Sequence, residues 1–206
     1  MEDVLEVYSR PYDAQRPVIC LDETCKQMVG EVAPPIPAAP GHPALLDHEY
    51  VRKGVAEIFL EVEPLAGRRH VEVGERRGRR EWADFVRGML EERYPDAKKV
   101  VLVMDNLNTH GAASLYERFP PEVARRLAER LEIHYTPKHG SWLDIAEIEL
   151  SVLSRQCLNR RLDSLDALKR EVEEWLRDRN NRQTKVKWHF TAADARVKLR
   201  RLYPLL

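Results

Sequence analysis

Three carboxylates stand where chemistry could be done. Asp22 closes the apolar run of VICLDET, Asp105 closes that of KVVLVMDNLNTH, and Glu147 follows in GSWLDIAEIEL. The two aspartates end segments that read as buried strands, while the glutamate lies in a segment of helical periodicity. Carboxylates on separate rigid elements can converge on one point, and an all-oxygen, anionic site suits hard divalent cations such as Mg2+ or Mn2+. Metal-dependent phosphodiester chemistry is the first expectation. A covalent aspartyl-phosphate mechanism also starts from a strand ending in Asp, but it needs a second Asp two residues on, where this chain has Thr24.

Asp144, Glu147 and Glu149 compete for the third position. Ser141 and Asp144 fit the S-x-x-D capping pattern, which predicts a helix from near Trp142 with Asp144 as a cap partner. At about 100° per residue, Leu143, Ala146, Leu150, Leu153, Cys157 and Leu158 share one arc; Glu147 lies inside it and Glu149 roughly 200° away. A carboxylate on an apolar face is costly unless paired or metal-bound. Glu147 is thus the candidate, a buried ion pair is its alternative role, and loss of Glu149 is expected to be mild.

Other polar groups nearby are less specific. Asn106, His110 and Lys138 could position phosphates or ligands, and a structural role suits each; His134 and His139 lack the spacing of metal ligands. The formal net charge is zero, but from Ser151 to Leu206 there are 14 Lys and Arg against 7 Asp and Glu, leaving 20 against 27 before Ser151. Clustered cations of this kind suit nucleic-acid phosphates. The candidate contacts are Arg76, Arg77, Arg79 and Arg80, with Lys138, Lys185 and Lys187.

The elements that must position these groups alternate between strands and helices. Strands are expected over residues 17–22, 54–62, 68–73, 99–105 and 131–135, with a turn at 64–67, giving a five-stranded sheet. Trp82, Phe85, Val86, Met89 and Leu90 predict an amphipathic helix over about residues 79–94, with both Trp82 and Trp175 in the core. Pro120 and Pro121 mark a helix start, and Leu165, Leu168, Val172, Trp175 and Leu176 form another stripe. Five prolines in APPIPAAPGHP make residues 32–43 an extended loop between the first two strands.

At 206 residues and 43% hydrophobic content, the chain can bury a sizeable core. Cys20, Cys25 and Cys157 are odd in number and lack a C-x-x-C spacing, which argues against a disulfide framework or structural zinc. No apolar run approaches a membrane span, and MEDVLEVYSR is acidic where a signal peptide is basic, so a cytoplasmic setting is expected.

LDET, MDNLNTH, HYTPKHGSWLDIAEIEL and the closing WHFTAADARVKLRRLYP resemble the catalytic domain of bacterial insertion-sequence transposases of the mariner superfamily. The resemblance covers nearly the whole chain. It implies an α/β, RNase H-like fold, with a central mixed five-stranded sheet and helices on both faces, in which residues 17–206 form the catalytic domain after a helical linker segment at 1–16. A Pro-rich insertion near 25–53 occupies the place where relatives carry a clamp that contacts DNA or a partner. The resemblance also implies Asp22, Asp105 and Glu147 as catalytic triad and metal ligands for two Mg2+ or Mn2+ ions. The implied activity is cleavage and strand transfer at transposon ends by a homodimer acting near the nucleoid. Relatives read the ends with an N-terminal helix-turn-helix, for which Met1 to Asp13 leaves no room, so a separately encoded recognition region is expected. The spacing from Asp105 to Glu147 and the Asp144 found where Asn is usual depart from the pattern. The competing class is an inert fragment that only associates with DNA or dimerises; retention of all three carboxylates favours the enzyme.

Overall fold

The computed structural model of the chain describes residues 1–34, 36–45, 47–107, 110–138 and 140–203; His139 lies outside them. Its centre is one five-stranded sheet in the order β3-β2-β1-β4-β5. β1 (Val18–Glu31) pairs antiparallel with β2 (Tyr50–Glu63), and β2 pairs antiparallel with β3 (Arg68–Gly74). β4 (Val100–Met104) and β5 (Leu131–Tyr135) are parallel to β1. The continuous apolar run of β4 is what a strand covered on both faces requires, and all five of its residues are buried.

Side-chain alternation splits these central strands between two cores. Cys20, Val101 and Val103 face one core, which is filled from α1 (Glu2–Ser9), α5 (Ile145–Leu153), α6 (Leu165–Asn181) and α7 (Ala192–Lys198). Ile19, Leu21, Leu102 and Met104 face the other, filled from α2 (Arg79–Gly88), α3 (Ala112–Arg118) and α4 (Pro121–Glu129). This is the expected mixed sheet with helices on both faces. The stripe Trp82, Phe85, Val86, Met89 and Leu90 is buried throughout, with its last turn widened into a π-type turn over Met89–Arg93. Trp82 and Trp175 are core residues, as read from the sequence.

Two expectations change in extent. β1 and β2 continue pairing as far as Glu31 and Tyr50, past a bulge at Gln27 and Val29, so the insertion placed near 25–53 is shortened to the segment between those residues. The outer halves of these strands are mostly exposed and carry no apolar alternation, so the sequence did not mark them. The ladder stops where prolines remove backbone donors; within the Pro-rich segment isolated bridges join Ile36 to Leu45 and Ala39 to His42. At the other end, residues 1–16 are more than a linker. Val4, Leu5, Val7 and Tyr8 of α1 are core residues, and the Tyr8 hydroxyl donates to the Leu143 carbonyl at 2.7 Å. Arg10 and Arg16 both pair with Glu132 of β5.

The β2–β3 turn requires glycine at its last position. Gly67 has φ +73°, and a Cβ there would lie 2.6 Å from the Gln183 carbonyl oxygen. Among the described residues, no helix is long and apolar enough to cross a membrane.

Candidate active site

The meeting of the two aspartates follows from strand register. On the adjacent parallel strands β1 and β4, Cys20 is level with Val103. Two residues further along each chain come Asp22 and Asp105, which therefore stand level with each other and continue the Cys20 and Val103 face. That face is the one α5 covers, at the carboxyl ends of the parallel strands, and open sheets leave their crevices at such ends. Asp22, Asp105 and Glu147 all line one cleft of about 580 Å³, together with Asn106, Thr136, Lys138, Ser141 and Asp144.

Glu147 reaches the cleft for a reason other than the expected one. The helix begins at Ile145 rather than near Trp142. Ser141–Leu143 forms a separate 3₁₀ turn, and Asp144 is itself the N-cap, its Oδ1 accepting from the Ala146 amide at 2.8 Å. Downstream, Ser154–Leu158 is a wide π-type turn. Leu143 and Leu158, which bracketed Glu147 on the expected apolar arc, thus lie outside the regular helix; the six arc residues are all buried in one core, but Glu147 is not among them. The buried side of α5 is Ile145, Ala146, Glu149, Leu150 and Leu153, and Glu147 is exposed toward the cleft. In the first turn of α5 its charge is favoured by the amino end of the helix.

The buried ion pair belongs to Glu149, which is 3% exposed. Its carboxylate accepts from Arg69 Nε at 3.0 Å and Nη2 at 3.3 Å, and from Arg179 Nε at 2.9 Å and Nη2 at 2.7 Å. Arg69 Nη1 also donates to the Gly67 carbonyl, and Asn180 brackets the Arg69 backbone with two further hydrogen bonds. This network ties α5 to β3 and α6 and fixes the helix from which Glu147 projects.

Carboxylates crowd the cleft. Burial, then the neighbouring carboxylates of Glu23, Asp105 and Glu147, push the Asp22 carboxyl up to about 7 against the bond it accepts from the Glu23 amide. Burial and then the Asp22 charge lift Asp144 to about 8. Asp105 has a partner that sequence reading left undecided. Burial alone would depress His110, but its hydrogen bonds to Asp105 and then Glu23 overcome this and raise the imidazole to about 10. Nδ1 lies 2.6 Å from Asp105 Oδ1 and Nε2 3.1 Å from Glu23 Oε2, with the ring stacked against Trp82 at 6.0 Å. His110 therefore clamps the end of β4 to β1 from the α2 side of the sheet. The only hint in the sequence was a polar residue five positions after Asp105.

The remaining candidates divide by place. Lys138 lines the cleft. Arg76, Arg77, Arg79 and Arg80 are exposed around the start of α2 and do not line it; Arg77 pairs with Glu57 at 3.3 Å and Arg79 with Glu117 at 3.1 Å. Lys185 and Lys187 are exposed on the segment after α6. His134 bonds to Asp3 and Glu132 and belongs to the packing of α1 on β5. As the side chains are placed, no three His, Cys, Asp or Glu residues among those described stand close enough together to hold an ion by themselves. A magnesium site does not need such a cage, because the ion commonly keeps water and takes one or two carboxylates with substrate phosphates. The all-oxygen donors and crowded carboxylates of this cleft fit a hard divalent cation.

A helix-covered mixed sheet with two aspartates level on adjacent parallel strands and a glutamate on the helix above is the arrangement expected of a DDE-type domain. The chain belongs to the DDE superfamily endonucleases, whose family pattern it matches over residues 17–169. Its fold, RNase H-like, is similar to that of solved Mos1 mariner structures. The Mos1 mariner paired end complex with Mn matches with a TM-score of 0.57 at 18% identity, covering 89% of this chain and 55% of that one. The Mos1 strand transfer complex matches with a TM-score of 0.60 at 16% identity, with the same coverage. The chain thus spans little more than half the length of those proteins. No curated protein sequence matches it significantly.

Proposed function

We propose that this chain is the catalytic domain of a DDE transposase, which cleaves DNA at transposon ends and transfers the freed strand to a target. The observation that carries the reading is the cleft lined by Asp22 and Asp105, just past the end of the parallel β1–β4 pairing, and by Glu147 from the first turn of α5. Mg2+ or Mn2+, two ions in this reading, held by these three carboxylates, would supply charge stabilisation at the phosphate and activation of the attacking hydroxyl. The similarity to DNA-bound Mos1 complexes, one of them with Mn, supports DNA as substrate and such a cation as cofactor.

The protein's own part is positioning. Parallel register aligns the two aspartates, His110 holds one oxygen of Asp105 so that the other is free to face the cleft, and Asp144 caps the helix that presents Glu147. Lys138 supplies a cation to a backbone phosphate in the cleft. Arg76, Arg77, Arg79 and Arg80, with Lys185 and Lys187, extend phosphate contacts along the DNA outside it. In this reading the active complex is a homodimer, and a helix-turn-helix region reads the ends.

Titration calorimetry with Mn2+ tests the cleft directly. Asp105→Asn should weaken binding by about tenfold or more, since it removes a proposed ligand, and equal affinity in the variant and the parent would sink the reading. His110→Ala is expected to weaken Mn2+ binding by roughly tenfold without contacting the ion, as supporting partners of metal ligands do. Unchanged affinity would reduce His110 to a packing residue.

A further inference from the structure

Trp142 is the only tryptophan of the chain among the residues counted as exposed, at 41%, whereas Trp82 and Trp175 are buried. It stands in the 3₁₀ turn between Gly140 and Ser141 on one side and Asp144 and Glu147 on the other, all four of which line the carboxylate cleft. The indole is braced from behind. Trp188 lies near-parallel to it at 24° and 6.3 Å, and Phe190 meets it edge-on at 78° and 5.6 Å. Trp188 is held in turn by its Nε1 bond to the Phe190 carbonyl at 2.9 Å and by Tyr8 at 5.2 Å, and Tyr8 is tied back to Leu143. Lys198 Nζ sits 5.6 Å from the Phe190 ring, Lys185 and Lys187 are exposed on the segment that carries Trp188, and Lys138 lines the adjoining cleft.

A half-exposed indole braced by two aromatic rings beside the carboxylate cleft, with lysines on the adjoining segments, is complementary to a nucleobase with its phosphates. A paired base hides its faces within the duplex stack, so the base must be unpaired to lie on an indole. We propose that Trp142 is a stacking platform for an unpaired nucleotide next to the strand bound at the carboxylates. This inference rests on the transposase reading above and deepens it, since it requires the DNA to be locally opened beside the cleft. Lys198 at Phe190 and the lysines on the adjoining segments favour a nucleic acid over an apolar protein segment, whose docking would carry the cost of burying their charge.

The test uses the full chain in metal-free buffer and compares a blunt DNA duplex with the same duplex carrying a short single-stranded overhang, by fluorescence anisotropy. Trp142→Ala should bind the overhang duplex about tenfold more weakly than the parent and the blunt duplex equally well, with Trp142→Phe retaining most of the affinity. Trp142→Ala binding both duplexes as the parent does, or losing both equally, would overturn the platform. Should Trp142→Ala fail to fold, indole fluorescence decides. Quenching by the overhang duplex in the parent that disappears in Trp142→Phe supports the proposal, and quenching that persists in Trp142→Phe refutes it. Because no metal is present, the platform can fail while the carboxylate variants still prove inactive, leaving the transposase reading intact. A parent chain that binds neither duplex would count against both.

Discussion

Asp22→Asn, Asp105→Asn and Glu147→Gln are each expected to lower metal-dependent nicking of transposon-end DNA by about a thousandfold or more while the protein stays folded. The magnitude follows from the several kcal/mol of charge stabilisation that a bound cation supplies at a transferring phosphate, each ~1.4 kcal/mol being a tenfold change in rate. Neither Asp22 nor Glu147 supports the core, whereas Asp105→Asn also gives up the ion pair with buried His110 and is expected to lower stability. Glu147 is exposed, Asp105 is at the mouth of the sheet, and Asp22 is half-buried among like charges. Asp22→Asn should therefore raise the melting temperature of the metal-free protein even as it removes activity, because it takes away a negative charge crowded by burial, Glu23, Asp105 and Glu147. Nicking assays in Mg2+ and Mn2+, run beside thermal denaturation, give both readings. A variant that keeps activity within tenfold of the parent would remove that residue from the catalytic set.

Glu149→Gln should do the reverse, damaging the fold first. Arg69 is 4% exposed and has the Glu149 carboxylate as its ionic partner, while Arg179 donates twice to the same oxygen. Breaking a buried ion pair from one side leaves an uncompensated charge in the interior and costs about 3–5 kcal/mol. For a chain of this size that corresponds to a melting temperature lower by roughly 6–20 °C. Whatever activity is lost would come from the loosened anchorage of α5, so it should recover in part on cooling, which a lost catalytic carboxylate cannot do. Urea unfolding of Glu147→Gln and Glu149→Gln side by side checks the contrast. Equal stability of the two would show that the Arg69, Glu149 and Arg179 network contributes nothing net. The mild effect on cleavage expected for Glu149 from helix phase is thus joined by a large expected effect on stability, which helix phase alone did not indicate.

Much of the site was legible in the chain because its chemistry is carried by local pattern. The apolar runs before Asp22 and Asp105 could only be buried strands, and the alternation that buries Cys20 and Val103 also turns both aspartates to the same face once the strands are parallel neighbours. The α2 and α6 stripes and the Pro-started α4 were equally local. Glu147, chosen from the sequence as the third carboxylate, does line the cleft, but the argument that chose it, burial on an apolar face, is reversed by its exposure. Helix phase correctly set Glu147 and Glu149 on opposite sides; which side was covered depended on where the helix began and ended. A 3₁₀ turn before it and a π-type turn after it let the arc's six residues reach one core without Glu147 between them.

What tertiary structure alone decided were the partners separated widely along the chain. Arg69 meets Glu149 across eighty positions, and His110, from beyond β4, reaches Glu23 of β1 on the α2 side of the sheet. Trp142 finds Trp188 and Phe190 only after α6 has carried the chain back to the cleft. Nothing in composition or spacing encodes such contacts, because a buried charge or an exposed ring is defined by what packs against it. Strand and helix periods come from the backbone of each segment and are written locally, whereas burial and charge compensation arise only when separate segments share one interior.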